Sequence, residues 1–139
     1  MHLLDINFLL AVFFKKHPHH EKAAQYYREF SAHGWATCPI TENGFLRIGL
    51  QQVFRDEAQS SSNLRNALRA WKLNSNHQFW ADDISITNDL ILEIPENKSV
   101  TELYLLALAV KNGGKFISFD KRIQADLVRG GKSALIVIS

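Results

Sequence analysis

Hydrophobic residues along this chain fall into short apolar runs separated by longer amphipathic stretches. The short runs have the length and composition of strands in a sheet that is buried on both faces. Four of them predict strands, over residues 2–4, 35–38, 115–119 and 134–138. The stretch from residue 79 to residue 94 is less regular, but Ile84 and Ile86 alternate with polar residues and predict one more short strand.

Between the predicted strands, the spacing of apolar residues is typical of helices. We expect helices over residues 6–14, 21–32, 40–54, 64–73, 100–111 and 121–128. His17 and Pro18 interrupt the pattern after the first helix, because proline biases the residue before it away from helical geometry. Strands that alternate with helices of this length predict right-handed crossovers, and therefore an α/β fold with a mainly parallel sheet covered on both faces.

Composition narrows the class of protein. The chain has 139 residues, of which 46% are hydrophobic and 22% are charged, and this predicts one globular domain over residues 1–139. Its 16 basic and 14 acidic residues leave a net charge of +2, which permits nucleic-acid binding without indicating it. The lone cysteine, Cys38, excludes an internal disulfide and a cysteine-based zinc cluster.

The N-terminal run MHLLDINFLLAVFFKK is apolar enough to be compared with a targeting segment. Its positive charges, Lys15 and Lys16, follow the apolar stretch, whereas a signal peptide carries them before it. Asp5 and Asn7 interrupt the run, which is also too short to cross the ~30 Å hydrocarbon core of a bilayer as a helix. We therefore expect a soluble, cytoplasmic protein with no membrane partner.

Four acidic residues follow predicted strand ends or lie in the first turns of the next helices. They are Asp5, Glu42, Glu102 and Asp120. Ligands of parallel α/β sheets bind just beyond the carboxyl ends of the strands. Carboxylates gathered there would repel one another, and a hard divalent cation such as Mg²⁺ or Mn²⁺ would neutralise them. The sequence therefore predicts a metal site if these acids converge.

Each acid taken alone also has a structural explanation. Asp5 and Asp120 stand where a helix N-cap is expected. Ser99 and Glu102 have the spacing of a capping box. Glu42 lies in a first helical turn, where the helix dipole favours a negative charge. At the level of the sequence, these alternatives stay open.

Four motifs that contain the acids resemble one protein family. The motifs are LLDINFLLA, TENGFLRIG, VTELYLLALA and FISFDKRI, at residues 3–11, 41–49, 100–109 and 116–123. In this order they are similar to PIN-domain ribonucleases, specifically to VapC-type toxins of bacterial toxin–antitoxin pairs, and the resemblance covers nearly the whole chain. It implies a three-layer α/β/α sandwich that cuts single-stranded or looped RNA with Mg²⁺ or Mn²⁺.

The resemblance also implies a role for each acid. Asp5 would be the central metal ligand, with Glu102 and Asp120 as further ligands. Glu42 would help to hold the metal or orient the attacking water, and all four would form the catalytic site. Two positions depart from the commoner family pattern, because Glu102 replaces an aspartate and Ser118 replaces a threonine. The Ser118 hydroxyl can still point to the same strand face as Asp120.

Residues near these motifs have alternative interpretations. Asn7 could hydrogen-bond a ligand carboxylate or cap the helix, and Arg47 could contact RNA phosphate or simply lie on the surface. The histidines at positions 17, 19 and 20 resemble a zinc tract, but no other Cys or His has a paired spacing. The three tryptophans, Trp35, Trp71 and Trp80, could stack on unpaired bases or belong to the core or an interface.

The expected partners also come from the resemblance. It implies an RNA substrate and a small VapB-type antitoxin that lies across the acidic edge and offers an arginine or lysine to it. Apolar side chains at Phe45, Leu46, Leu50 and Trp71 exceed what one thin layer must bury, so we expect a homodimer. The alternative is a PIN-fold module that binds RNA or protein without cutting. A nucleotide-binding doubly wound domain has no support, because neither of its glycine-rich motifs occurs.

Overall fold

The computed structural model describes residues 1–73, 75–96 and 100–139. Its strands are β1 (His2–Leu4), β2 (Trp35–Thr37), β3 (His77–Phe79), β4 (Lys115–Ser118) and β5 (Leu135–Val137). Its helices are α1 (Ile6–Phe13), α2 (His20–Phe30), α3 (Pro39–Gly49), α4 (Arg55–Ala58), α5 (Ser61–Leu73), α6 (Val100–Lys111) and α7 (Gly131–Ala134). Short 3₁₀ turns cover Ser31–His33 and Ala125–Leu127.

The strands form one parallel sheet in the order β3-β2-β1-β4-β5. Strand β1 is central, with Leu3 aligned to Ala36 of β2 and to Phe116 of β4. Parallel strands end at the same edge of a sheet, so the residues that follow β1, β2 and β4 are carried to one side of the molecule. The predicted parallel α/β sheet is confirmed, and Asp5 lies in the middle of its carboxyl edge.

Successive residues of each strand face opposite layers of helices, as the two-residue repeat of a strand requires. Leu4 and Ile117 belong to a buried cluster formed with α1, α2, α3 and α5. Their neighbours Leu3 and Phe116 belong to a second cluster dominated by α6. Helix α6 is buried along Leu103–Ala109, which explains its nearly continuous apolar sequence. These layers make the α/β/α sandwich that the family resemblance implied.

The strand predicted near Ile84 and Ile86 is wrong, and the sheet is completed by β3 instead. Strand β3 lies at the edge of the sheet beside β2, and its Phe79 is 54% exposed. An edge strand of this kind needs no apolar run, and for that reason the hydrophobic pattern did not mark it. The Ile84 carbonyl instead accepts a 2.9 Å hydrogen bond from the Tyr104 hydroxyl, which ties this segment to α6.

Several helix bounds also differ from the sequence prediction. Helix α3 ends at Gly49 and not at residue 54, and Val53, which the predicted helix included, is 69% exposed. The helix expected over residues 121–128 is only the 3₁₀ turn noted above, because Asp120 accepts the backbone N–H of Arg122 and forms a local turn. Helix α7 forms where a turn and the start of a strand were expected. Among the described residues, no helix has both the length and the hydropathy to cross a bilayer.

Candidate active site at the carboxyl edge of the sheet

Asp5 lies at the centre of the candidate site, directly after β1. Its Oδ1 accepts a hydrogen bond from the Ile6 backbone N–H at 2.8 Å, so the residue does cap α1. Its Oδ2 accepts a second hydrogen bond, at 2.6 Å, from the Ser118 hydroxyl at the end of β4. Both side chains are buried, and the carboxylate is therefore held in one orientation between the two central strands.

The pKa of the Asp5 carboxyl is raised from 3.8 to about 6. Burial is the largest cause, and the negative charges of Glu102 and Asp120 add to it. The hydrogen bonds from Ser118 and Ile6 act in the opposite direction, because they favour the ionised form. Three of the four predicted acids therefore share one electrostatic environment.

Glu102, in the first turn of α6, has a buried oxygen that none of the described residues pairs. Its Oε2 is buried and accepts no hydrogen bond from the described residues. A buried oxygen without a partner is costly, and in native structures such atoms usually serve a ligand, an ion or a function. The capping-box explanation needs Ser99, which lies outside the described residues, so it stays a prediction.

Asp120 is paired with a neighbouring cation. Its Oδ1 accepts hydrogen bonds from the Arg122 backbone N–H at 2.9 Å and from the Arg122 Nε at 3.0 Å. Its Oδ2 is 3.3 Å from the Nη2 of the same guanidinium. These contacts hold the pKa of Asp120 below its ordinary value. The Arg122 side chain is 82% exposed, whereas the Asp120 side chain is only 15% exposed, so the guanidinium holds the carboxylate from its solvent side.

Glu42, the fourth acid, lies on the side of β2 and β3 in a separate network. Its Oε2 accepts hydrogen bonds from the Thr37 hydroxyl at 2.6 Å and from the Lys72 ammonium at 2.7 Å. The Thr37 oxygen also lies 2.7 Å from Nε2 of His77. Because the single Thr37 proton goes to Glu42, the His77 Nε2–H is the donor in that contact. Burial, and then Lys72, lower the pKa of His77 to about 4, so its ring is neutral.

The comparison with known families shows the family to which this chain belongs. The sequence profile of the PIN domain matches residues 2–127, a span that includes β1 to β4 and all four acids. The chain belongs to the PIN-domain family. Ribonuclease VapC38 of Mycobacterium tuberculosis is 35% identical over 120 residues, which are 86% of this chain and 85% of that protein.

Two further relatives from the same organism cover more of this PIN domain. Ribonuclease VapC39 is 33% identical over 132 residues, which are 93% of this chain and 94% of the relative. Ribonuclease VapC44 is 35% identical over 131 residues, which are 92% of each chain. The resemblance to VapC proteins inferred from the four motifs is therefore confirmed.

The acids of this PIN domain suit a hard cation, although they are not gathered around one point. In the chain as described, outside residues 74 and 97–99, no three His, Cys, Asp or Glu side chains are arranged to hold a metal ion. The charges of Glu102 and Asp120 disfavour the ionised form of Asp5, and no described residue pairs with Oε2 of Glu102. Asp120 would become the third donor if a metal cation displaced the Arg122 guanidinium from it. The donor set therefore fits Mg²⁺ or Mn²⁺ in its chemistry.

The remaining predicted site residues of the PIN domain are spread around this edge. Ser118 connects two of the acids, because its oxygen also accepts the Asp120 backbone N–H at 3.0 Å. Asn7 is exposed and lines a groove that also includes Asp120. Arg47 is exposed on α3. Trp35 and Trp80 are buried in the core, so neither offers a face for stacking on bases.

Sequence reasoning missed the cations and the second hydroxyl that hold the acids. The sequence analysis did not assign Lys72, Arg122, Thr37 or His77 to the site. A signal was available for Thr37, since it ends β2 as a fully buried hydroxyl in the way that Ser118 ends β4. Lys72 gave no such signal, because it reaches Glu42 from α5, 30 residues further along the chain.

Proposed function

We propose that this protein is a VapC-type endoribonuclease that hydrolyses RNA phosphodiester bonds with Mg²⁺ or Mn²⁺ as its cofactor. The observation that carries the proposal is the coupling of Asp5, Glu102 and Asp120 at the carboxyl edge of a PIN-domain sheet. The relatives named ribonuclease, at 31–35% identity over most of the chain, support the same activity.

In this proposal, each acid has a defined task. Asp5, Glu102 and Asp120 would hold the divalent cation, which lowers the pKa of bound water and stabilises negative charge on a phosphoryl oxygen. Glu42, fixed by Thr37 and Lys72, would accept a hydrogen bond from the attacking water and orient it. The water oxygen forms the new bond to phosphorus, and the bond from phosphorus to the leaving ribose oxygen breaks. One water proton reaches that ribose oxygen through solvent, which makes it a hydroxyl, and the other stays on the new phosphate or passes to solvent.

Cleavage assays test the proposal directly. We expect Mg²⁺- or Mn²⁺-dependent cleavage of single-stranded RNA, and its loss in Asp5→Ala. Asp126→Ala, which removes an exposed carboxylate outside the acidic site, is the matched control. The alternative is a PIN-fold module that binds RNA or protein without cutting, and the Asp120–Arg122 pair is the feature that favours it. Purified protein that binds RNA but leaves it uncut with either metal would establish that alternative.

The proposed partners are a VapB-type antitoxin and a second copy of this chain. An acidic edge whose carboxylates already pair with Arg122 and Lys72 would accept a basic side chain from an antitoxin by the same complementarity. Phe45 is fully buried within the chain, so the members of the predicted apolar set that could contribute to a dimer are the half-buried Leu46, Leu50 and Trp71. Light scattering of the chain alone, and with the product of the neighbouring gene, tests both partners. A monomer at micromolar concentration would contradict the dimer alone.

A further inference from the structure

A groove of about 590 Å³ lies beside the acidic site, and apart from Asp120 its lining residues have no task in the proposed reaction. One wall is the loop after α1, with His17, Pro18 and His19, and the other is the segment from Phe119 to Arg122 after β4. Asp120 lines the groove, so the groove is continuous with the acids. Its volume lies within the range of roughly 300–1,000 Å³ that is usual for small-ligand sites.

The groove contains an ordered aromatic surface. The exposed ring of His19 stacks on Phe119 with centroids 5.0 Å apart, and Phe119 packs in turn on the buried Phe8 at 5.3 Å. His17 stacks on Phe54 with nearly parallel rings. The His17 Nδ1 also accepts the His19 backbone N–H at 3.0 Å, which fixes the loop between the two rings. The stacked pair of His19 and Phe119 is therefore anchored in the core through Phe8, although the His19 ring is open to solvent.

The wall from Phe119 to Arg122 has a net positive charge, because Lys121 and Arg122 outnumber Asp120. Lys121 and Arg122 are both exposed, and Lys121 makes no ion pair with any described residue. A positively charged wall facing aromatic rings is the combination by which proteins bind single-stranded nucleic acid, since the cations follow the phosphates and the rings stack on the bases. An acidic or neutral peptide would use the cations but would leave the exposed His19 ring without a matched partner.

The histidines at positions 17, 19 and 20 are not arranged as a metal site with any other described residues. His17 uses its Nδ1 as an acceptor, and His20 places its Nδ1 2.8 Å from the Ala11 carbonyl oxygen, to which it must donate. No three ligating side chains within residues 1–73, 75–96 and 100–139 are arranged around a common point. The zinc interpretation of this tract therefore has no geometric support.

We propose that this groove, which we call the His19 groove, binds one unpaired nucleotide of the RNA substrate beside the cleaved bond. The base would stack on the outer face of His19, which Phe119 supports from below, and the phosphate would contact Lys121. The inference rests on the proposed ribonuclease function and adds to it a binding position for the substrate. It assigns His19, one of the three histidines compared above with a zinc tract, to recognition of RNA and not to a metal.

The test measures RNA binding separately from cleavage. The Asp5→Asn chain, which should bind without cutting, is titrated into short fluorescent single-stranded oligoribonucleotides in Mg²⁺, and anisotropy gives the Kd. In this background His19→Ala should weaken binding about tenfold, in the range found for the loss of one base–aromatic stack. His19→Phe keeps the ring and should stay within about twofold of the parent. His33→Ala, an exposed histidine outside the groove, is the matched control and should change nothing.

Two further measurements separate the base from the phosphate. An oligonucleotide with one abasic position should bind the parent more weakly, and His19→Ala should add no further loss with that oligonucleotide. Lys121→Ala should reduce the slope of log Kd against log salt by about 0.7, the contribution of one phosphate contact to a single strand. Lys132→Ala, an exposed lysine on α7, should leave the slope unchanged.

Each possible result decides the proposal. Unchanged RNA affinity in His19→Ala, with unchanged melting temperature, would overturn the His19 groove as an RNA site. If the same variant instead lost affinity for the antitoxin, the groove would be a protein-docking surface, and the proposal would equally fail. Metal-dependent cleavage by the unsubstituted chain is measured in parallel, so either failure leaves the ribonuclease function standing, and only absence of cleavage removes both.

Discussion

The Ser118 hydroxyl donates a 2.6 Å hydrogen bond to Oδ2 of Asp5 and thereby joins the ends of the two central strands. The same oxygen accepts the backbone N–H of Asp120, so one buried hydroxyl positions two of the acids. A serine at the end of a buried strand has no core-packing advantage over alanine. Its role is therefore to hold the ionised form of Asp5 in an environment that opposes the charge.

Removal of that hydroxyl should damage both stability and cleavage. Ser118→Ala leaves a buried carboxylate without one of its donors, which costs about 2 kcal/mol of the free energy of unfolding at pH 7. It should also raise the pKa of Asp5 further and reduce cleavage. Ser118→Thr retains the hydroxyl and should preserve most of the activity. Urea denaturation and a cleavage assay check both effects, and a Ser118→Ala chain indistinguishable from the parent in both would contradict this role.

The pKa of Asp5 predicts an unusual pH dependence of stability. Between about pH 4 and pH 6, the carboxyl has lost its proton in the unfolded chain but retains it in the native protein. The free energy of unfolding should therefore fall as the pH rises through this window, by up to roughly 3 kcal/mol, and then level off above pH 6. Asp5→Asn should lack this component. Urea titrations from pH 4 to 7.5 in EDTA measure it as the difference between the two chains.

A divalent cation should offset the loss of stability that ionisation of Asp5 causes. At pH 7.5 the ionised Asp5 lies among the charges of Glu102 and Asp120, and a bound cation offsets their repulsion. Millimolar Mg²⁺ or Mn²⁺ should raise the melting temperature of the parent, and Asp5→Asn should blunt the rise. Asp126→Asn is the control for nonspecific ion effects. A melting temperature that neither metal changes would contradict a cation site at this edge.

The unpaired oxygen of Glu102 allows its two explanations to be separated. Glu102→Gln keeps the size of the side chain but removes a partly buried charge that has an unpaired atom, so stability should stay the same or increase. If Glu102 serves the cation, cleavage should fall at least tenfold, which corresponds to about 1.4 kcal/mol of barrier. Glu93→Gln, an exposed site, is the control. Full activity in Glu102→Gln would return the residue to a capping role.

The strands of this fold could be predicted from the sequence where burial requires an apolar sequence. Strands β1, β2, β4 and β5 are covered on both faces or lie close to the core, so their apolar runs marked them. Strand β3, with the sequence HQF, lies at the sheet edge and has no apolar run. The alternation at Ile84 and Ile86 predicted a strand at a position where none forms. The predicted helix bounds were wrong after Gly49 and after Asp120, because the chain forms local turns at both places where a helix was expected.

The same argument applies to the acidic site. Parallel strands end at one edge, and this rule alone placed Asp5 and Asp120 near each other from their spacing after apolar runs. The pairing of each acid could not be predicted, because it depends on contacts across the sequence such as Lys72 with Glu42. The hydroxyl of Thr37, which also holds Glu42, was not predicted either.

That second network makes His77 a spectroscopic reporter of Glu42. Burial and the charge of Lys72 lower the pKa of His77 to about 4, while the charge of Glu42 raises it. Between pH 6.5 and pH 4 the unfolded chain binds a proton that the native ring does not, so this site lowers the free energy of unfolding as the pH falls. The ring resonance should titrate with a midpoint near pH 4.

Substitutions around the ring should move that midpoint in opposite directions. Lys72→Met removes a positive neighbour and should raise the pKa of His77, whereas Glu42→Gln removes a negative one and should lower it. His77→Gln identifies the resonance, and its amide N–H can still donate to Thr37, so it should retain cleavage while it loses the acid-dependent part of the stability. A midpoint near 6.5, insensitive to both substitutions, would contradict the buried network and the orientation of Glu42 that the proposed mechanism requires.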